Sequence, residues 1–224
     1  MAIGFTEIKL PRTSKASLEG QSVATAISAG VASRPPTLVE VLAPNLMRTS
    51  RMMLRPLRAS DRAEYLRVLN LSREHLGSWM NLHRDGETDH DLFERQLTMC
   101  QVGDSRGAAW RRVGMMEDGR LAGFFNLNSI TRGLTFEADA NWWVAADVKG
   151  VGLGSEGALA MVDHALLESP SGLGLHRVQA AIASLNVPSV RLAQRLGMKR
   201  VEAAQVNVKI GGSWERHDLW ERGV

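Results

Sequence analysis

Four glycines lie within one short stretch of the chain, DVKGVGLGSEG at positions 147–157, and helix-forming residues follow it. A backbone with so few side chains allows a ligand to approach its N–H groups closely, and the start of a helix attracts anions. The stretch therefore predicts a phosphate-binding loop. Three designs of such a loop fit part of the pattern, and the choice among them decides the function.

Two of these designs conflict with the residues around the loop. Positions 152–157 satisfy the G-x-G-x-x-G fingerprint of dinucleotide-binding folds, but such a fold needs several more parallel strand–helix units, and only about 67 residues follow. No acidic residue closes the next strand either, which ends in Ile182-Ala183-Ser184. A P-loop requires Lys and then Ser or Thr after its last glycine, where this chain has Ala158 and Leu159.

The third design is Lys149-x-x-Gly152-x-Gly154, which resembles the Arg/Gln-x-x-Gly-x-Gly/Ala loop of the GNAT acetyltransferase superfamily, with Lys149 in place of Arg or Gln. About 30 residues later, LNVPSVRLAQRLGM at 185–198 resembles the family's Asn-x-x-Ser/Ala helix that ends in Leu-Gly-Phe, with Met198 in place of Phe. Each motif alone is also typical of an ordinary turn or helix cap. The two together, at the family's spacing, indicate a member of this superfamily.

Three further segments narrow the resemblance to the RimJ/RimL-like branch: SREHLGSW at 72–79, NWWV at 141–144 and GLHRVQA at 174–180. Members of that branch acetylate the N-terminal α-amino group of proteins, ribosomal proteins among them. The resemblance spans residues 46–220. It implies the GNAT fold, an α/β (α+β) fold with a mixed, mostly antiparallel twisted sheet of about seven strands flanked by helices.

The same resemblance implies acetyl-CoA as the co-substrate. In the family, the loop and the following helix N-terminus hold the pyrophosphate, while a backbone N–H at the end of the fourth strand polarises the thioester oxygen. That strand separates from the next one, so its backbone groups are free to pair with pantetheine. The cofactor-binding residues that the resemblance predicts are Trp143, Val144, Lys149, Gly150, Gly152, Gly154, Ser155 and Asn186.

The predicted catalytic residues match the family only in part. Ser189 matches a serine proposed in RimL-like enzymes to protonate the leaving thiolate, whereas Val208 occupies the place of the glutamate proposed there as the base. Ala138 stands where other family members carry an acid. Glu137 and Asp139 flank it and are kept as candidate bases, although strand alternation points them to the opposite face unless a bulge intervenes.

The elements that must position these residues follow from apolar periodicity and turn signals. The expected order is a strand, helices, an antiparallel meander of three strands, and then a βαβα unit closed by a hairpin. Residues 1–45, rich in Ser, Thr, Ala, Gly and Pro, are predicted to be an N-terminal extension, and residues 46–224 the acetyltransferase domain. Specific expectations are a strand at 52–58, a helix capped by Ser60, a separate helix at 72–79, a helix from 155 to about 168 and a hairpin around Gly211-Gly212.

Composition excludes several function classes. Cys100 is the only cysteine, which rules out an internal disulfide and any multi-cysteine metal site, and the predicted location is the cytoplasm. Lys and Arg number 27 against 24 Asp and Glu, intermixed along the chain, so we expect no direct nucleic-acid binding. No apolar run is long enough for a membrane span, and we expect no membrane partner and no metal.

The predicted function is transfer of acetyl from acetyl-CoA directly to a primary amine, the N-terminal α-amine of a protein or peptide. Trp79, Trp142 and Trp214 are candidates to line the acceptor groove. Two alternatives stay open: acetylation of a small amine (an amino acid, polyamine or aminoglycoside), and a non-catalytic acyl-CoA-binding module. The oligomeric state is also open, with a homodimer among the possibilities.

Overall fold

The computed structural model describes residues 39–43 and 45–224, so the first 38 residues of the predicted extension lie outside the described residues. A single nine-stranded sheet has the order β1-β2-β3-β4-β5-β6-β7-β9-β8. The strands are β1 (Glu40–Ala43), β2 (Leu46–Arg48), β3 (Met52–Arg55), β4 (Trp110–Met116), β5 (Leu121–Arg132), β6 (Phe136–Val144), β7 (Arg177–Ala183), β8 (Lys199–Ile210) and β9 (Ser213–Gly223). The helices are α1 (Arg62–Gly77), α2 (Asp89–Arg106), α3 (Leu153–Leu166) and α4 (Val187–Arg195).

The predicted sheet architecture is confirmed, with nine strands rather than about seven, because the short strands β1 and β2 extend one edge. Every neighbouring pair is antiparallel except β6 and β7. Those two strands pair in parallel over three residues of each, from Glu137 to Asp139 on β6, and β6 then runs on to Val144 with no partner on β7. The sheet therefore opens into a cleft at this point.

Helices cover both faces of the sheet around the cleft. Tyr65 of α1 makes an edge contact with Phe124, while Gly157 of α3 lies directly over the ring of the next residue, Phe125. Since successive side chains of a strand point to opposite faces, α1 and α3 lie on opposite sides of β5. Phe93 of α2 also contacts Tyr65, so α2 shares the face of α1. This arrangement brings the C-terminal end of α1 and the N-terminal end of α3 to the same end of β6.

Three helix predictions need correction. The helix predicted at 72–79 is not separate, because α1 runs without a break from Arg62 to Gly77. Ser60 does not cap it; the residue lies in a short 3₁₀ turn, and the carboxylate of Asp61 accepts the N–H of Arg58 instead. The helix predicted from residue 155 begins two residues earlier, at Leu153.

None of the helices in the described part of the chain combines the length and the apolar character that a membrane span requires. Within the same residues, no cluster of three or more His, Cys, Asp and Glu side chains is arranged to hold a metal ion.

Candidate active site

A cavity of about 430 Å³ lies at the end of β6, where the sheet opens. Its walls come from the end of α1, the last residues of β6, the glycine loop and α4. All eight predicted cofactor residues line it, and so does Ser189: Trp143, Val144, Lys149, Gly150, Gly152, Gly154, Ser155, Asn186 and Ser189. Segments that lie between His75 and Arg195 in the sequence thus meet around one space.

The glycine loop has the geometry of an anion-binding turn. Gly152 is the N-cap of α3 and has φ +90°, a left-handed conformation that side chains other than glycine rarely adopt. The first N–H groups of α3 have no intrahelical partner, and the residues that carry them, Gly154 and Ser155 among them, face the cavity. A phosphate group fits this arrangement, because the bare backbone and the helix dipole both favour negative charge.

An ion pair between the half-exposed Arg51 and the buried Glu156 holds the loop in this shape. The Glu156 carboxylate is buried in the first turn of α3 and accepts hydrogen bonds from the Thr49 hydroxyl at 2.6 Å, from the Arg51 backbone N–H at 2.7 Å and from Arg51 Nε at 2.7 Å. Arg51 Nη1 also donates to the Val151 carbonyl, inside the loop, at 2.8 Å. The segment before β3 therefore fixes both the loop and the start of the helix.

Two other glycines allow α3 to approach the sheet. A side chain at Gly157 would place its Cβ only 2.3 Å from the Phe125 ring. At Gly154 the same atom would lie 2.9 Å from the Val144 side chain. The helix can therefore lie against the end of β6 only because both positions lack a Cβ, so the glycines of the loop serve packing as well as ligand approach.

The end of β6 presents backbone groups to the cavity. The Ala145 N–H donates to Ala122 of β5 at 2.9 Å, so alternation turns the backbone groups of Val144 towards the opposite, open edge. His75, near the end of α1, confirms that direction: its Nε2 lies 3.2 Å from the Val144 carbonyl, and since a carbonyl oxygen only accepts, Nε2 is the donor. The Val144 N–H points into the same open edge and is the group placed to contact a thioester oxygen.

Ser189 lies between this cavity and a smaller one of about 80 Å³. Its backbone N–H donates to the Asn186 side chain at 3.2 Å, which caps α4 and fixes the first turn of the helix. The smaller cavity lies between the separated ends of β6 and β7, with Asn141 and Ile182 in its walls. Trp79 and Met80 from the loop after α1 and His217 from β9 complete it.

Glu137 and Asp139 are not brought to either cavity. Glu137 binds Arg177 on β7 across the paired part of the strands, and Asp139 is exposed. The bulge in the pairing of β5 with β6 lies on β5, between Asn128 and Thr131. It therefore does not turn the β6 side chains to the other face of the sheet. Indeed no Asp or Glu among the described residues lines either cavity.

Sequence patterns did not indicate His75, Met80 and His217 as cavity residues. Trp79 and Trp142 line both cavities as expected, but Trp214, near the tip of the last hairpin, is 70% exposed and lines neither. The signal for His75 lay within the SREHLGSW segment, whose spacing places it one turn before Trp79. Burial of Cys100 raises the pKa of its thiol, so this side chain is not poised as a nucleophile.

Comparisons with known proteins agree with this geometry. Residues 51–199 match the acetyltransferase (GNAT) domain family. The probable N-acetyltransferase YjcK of Bacillus subtilis is 25% identical over 175 residues, which cover 78% of this chain and 94% of YjcK. The fold is similar to that of Mycobacterium smegmatis RimJ in complex with CoA-disulfide, with a TM-score of 0.67 and 22% identity over 77% of this chain and 82% of RimJ. It is also similar to the ribosomal-protein-S5-alanine acetyltransferase of Vibrio fischeri, with a TM-score of 0.68 and 19% identity over 80% of this chain and 96% of that one.

Proposed function

Because the chain belongs to the GNAT acetyltransferase family and acetyl-CoA is its co-substrate, we propose that it acetylates the N-terminal α-amine of a protein or peptide. Two structural neighbours support a protein acceptor. One is named as a ribosomal-protein-S5-alanine acetyltransferase, and the other, RimJ, belongs to the branch that the sequence resembles. The proposal includes a single acetyltransferase domain over residues 46–224 and a cytoplasmic location, which agrees with the single, buried cysteine.

The observation that carries the proposal is the lack of any carboxylate in the walls of the two cavities formed by described residues. An amine must be neutral to attack a thioester. At pH 7 a lysine side chain with a pKa near 10.4 needs about 4.6 kcal/mol to lose its proton, whereas an α-amine with a pKa near 8 needs about 1.4 kcal/mol. A site without a carboxylate base therefore favours the α-amine.

The cavity residues have distinct roles in this reaction. The glycine loop and the start of α3 would hold the pyrophosphate of acetyl-CoA, with Lys149 as an additional cation at the rim. The Val144 N–H would stabilise the charge that develops on the carbonyl oxygen. Ser189 would donate a proton to the departing thiolate from the wall that both cavities share. The open β6–β7 cleft would admit an extended peptide terminus.

A pair of matched peptides tests the acceptor. Each contains one internal lysine, and only one of them has a free N-terminus; CoA release and the mass of each product are measured. We expect one acetyl group, on the α-amine of the free peptide, and no product from the blocked peptide. Rapid lysine acetylation would contradict the proposal. Turnover only with a free amino acid, a polyamine or an aminoglycoside would make the chain a small-amine enzyme, and binding of acetyl-CoA without turnover would make it an acyl-CoA-binding module.

A further inference from the structure

His217 of β9 is an unusual buried side chain. It is only 6% exposed, and neither ring nitrogen has a hydrogen-bond partner among the described residues. Buried polar groups are almost always paired, because an unpaired one has lost its water without compensation. An imidazole without a hydrogen-bond partner is therefore suited to bind a polar group of a ligand.

His217 is one of the residues that line the smaller cavity, between the separated ends of β6 and β7. That cavity shares several wall residues with the acetyl-CoA cavity, Ser189 and Trp142 among them. Asn141, the residue beside Trp142 on β6, lines it as well. An amine that approaches the thioester from the cleft, on the side away from the glycine loop, passes through the space that His217 borders.

The hairpin register relates His217 to the missing base. On β8, Val206 pairs with His217 and Val208 pairs with Glu215, so these four side chains lie on one face of the hairpin. Val208 is the position where the family resemblance predicts a glutamate. His217 thus lies on the same face as Val208, on the neighbouring strand β9, two residues after Glu215, the direct partner of Val208.

Few charges surround this imidazole. No other wall residue of the smaller cavity is ionisable. Glu215 shares the hairpin face two residues earlier and is exposed. Arg216 and Asp218 point to the opposite face, where Asp218 accepts hydrogen bonds from Ser184 at 2.9 Å and Gln205 at 3.1 Å. From β7, α4 and the loop after α1, only Ala, Ile, Asn, Ser, Trp and Met side chains border the cavity beside His217.

We propose that His217 accepts the proton of the attacking amine, an inference that rests on the proposed acetyl transfer. The nitrogen lone pair forms the C–N bond, and His217 removes one proton from that nitrogen. The C–S bond breaks, its electron pair leaves with sulfur, and Ser189 protonates the thiolate. His217 then returns its proton to the Ser189 oxygen, so the net change moves one acetyl group from sulfur to nitrogen and one proton from nitrogen to sulfur.

His164 provides a matched control. It is 8% exposed, both ring nitrogens are unpaired among the described residues, and it lines neither of the two cavities. It packs on α3 against Trp110, with the ring centres 5.4 Å apart. Replacing His164 therefore introduces the same chemical change at similar burial without touching the acceptor site.

The test compares the full-length wild-type chain with His217→Gln and His164→Gln. The kcat/KM for the peptide with a free N-terminus is measured from pH 5.5 to 9, together with the acetyl-CoA Kd and the Tm. We expect His217→Gln to lose on the order of 100-fold in kcat/KM. Its acetyl-CoA Kd should stay within about twofold of the wild-type value. The pH profile of kcat/KM in the wild type should differ in shape from that of His217→Gln, because the variant lacks the proposed proton acceptor. His164→Gln should keep the wild-type rate and pH profile.

A second measurement does not depend on turnover or on the stability of a variant. In wild-type protein with ¹³C-labelled histidine and bound CoA, the His217 signal should shift on addition of the free peptide and not of the N-terminally blocked one. An unshifted signal would overturn the proposal. If peptides react but His217→Gln matches the wild type, the His217 role fails and the α-amine function stands. If only a small amine reacts, the α-amine function fails, and the same comparison on that amine decides the role of His217.

Discussion

At the scale of single residues, the hydroxyl of Ser189 is the group whose contribution is easiest to isolate. Ser189→Ala removes the proposed proton donor but keeps the backbone N–H that caps α4 on Asn186. We expect kcat to fall on the order of 100-fold while the acetyl-CoA Kd changes less than about twofold. Steady-state kinetics with calorimetry measures both. Ser105→Ala, an exposed hydroxyl on α2, is the control; an unchanged kcat in Ser189→Ala would remove the acid role.

Gly152 tests the phosphate loop. Gly152→Glu adds a carboxylate and a Cβ at φ +90°, in the path predicted for the pyrophosphate, so we expect acetyl-CoA binding to be abolished. Equilibrium dialysis or calorimetry gives the Kd. Gly119→Glu imposes the same charge and backbone strain at φ +83°, in the turn between β4 and β5, where an added Cβ meets nothing within 4 Å. Normal binding by Gly152→Glu would contradict the loop assignment.

The sequence identified residues that are close together along the chain and missed those that only the fold brings together. The glycine loop and the first turn of α4 are each one continuous segment, so a motif predicts them as units, and their seven predicted residues line one cavity together with Trp143 and Val144. His217 comes to the same cavity as Ser189 only through the antiparallel pairing of β9 with β7 and β8. No local pattern encodes that arrangement. Glu137 and Asp139 were predicted as candidate bases because they are acidic. The face of the sheet on which their side chains lie depends, however, on the position of the strand bulge.

At the scale of secondary-structure elements, the pairing of Glu156 with Arg51 joins α3 to the segment before β3. Glu156→Gln keeps the shape of the side chain but replaces with an NH₂ group one of the two oxygens that together accept from three donors. We expect a loss of about 1–3 kcal/mol in the free energy of unfolding and weaker acetyl-CoA binding, because the loop of Val151 loses its support from Arg51. Urea unfolding and calorimetry measure the two effects.

Asp118→Asn is the control for the Glu156–Arg51 pair. Asp118 forms an exposed ion pair with Arg120 in a turn, and neither residue lines the two cavities. Such pairs contribute little to stability, so neither quantity should change measurably. If Glu156→Gln loses stability but binds acetyl-CoA as tightly as the wild type, the ion pair supports the fold alone and the glycine loop keeps its shape without it.

At the scale of the whole molecule, the loop between α1 and α2 connects the acceptor cavity to the rest of the protein. Trp79 and Met80 at its start line both cavities, and Asn81 bonds the β8–β9 hairpin through the Lys209 carbonyl and the Gly211 N–H. At its other end Glu87 pairs with Arg95 of α2, which also donates to the Leu82 carbonyl at 2.6 Å. The wall of the acceptor site therefore depends on contacts with α2 and with the last hairpin together.

The Glu87–Arg95 pair gives this loop a pH-dependent stability. The hydrogen bond from Arg95 lowers the pKa of Glu87 from 4.5 to about 2. Because the folded state holds this proton less tightly than the unfolded state, the stabilisation is fully present above pH 4.5 and is lost as the pH falls towards 2. Thermal unfolding from pH 7 to pH 2 should show that loss, and Glu87→Gln should be less stable at pH 7 and flatter across this window. Equal pH dependence in both proteins would show that other carboxylates govern acid unfolding. Since Arg95 of this pair also donates to the carbonyl of Leu82, two residues after Met80 in the same loop, Glu87→Gln should also raise the KM for the peptide acceptor while leaving the acetyl-CoA Kd unchanged.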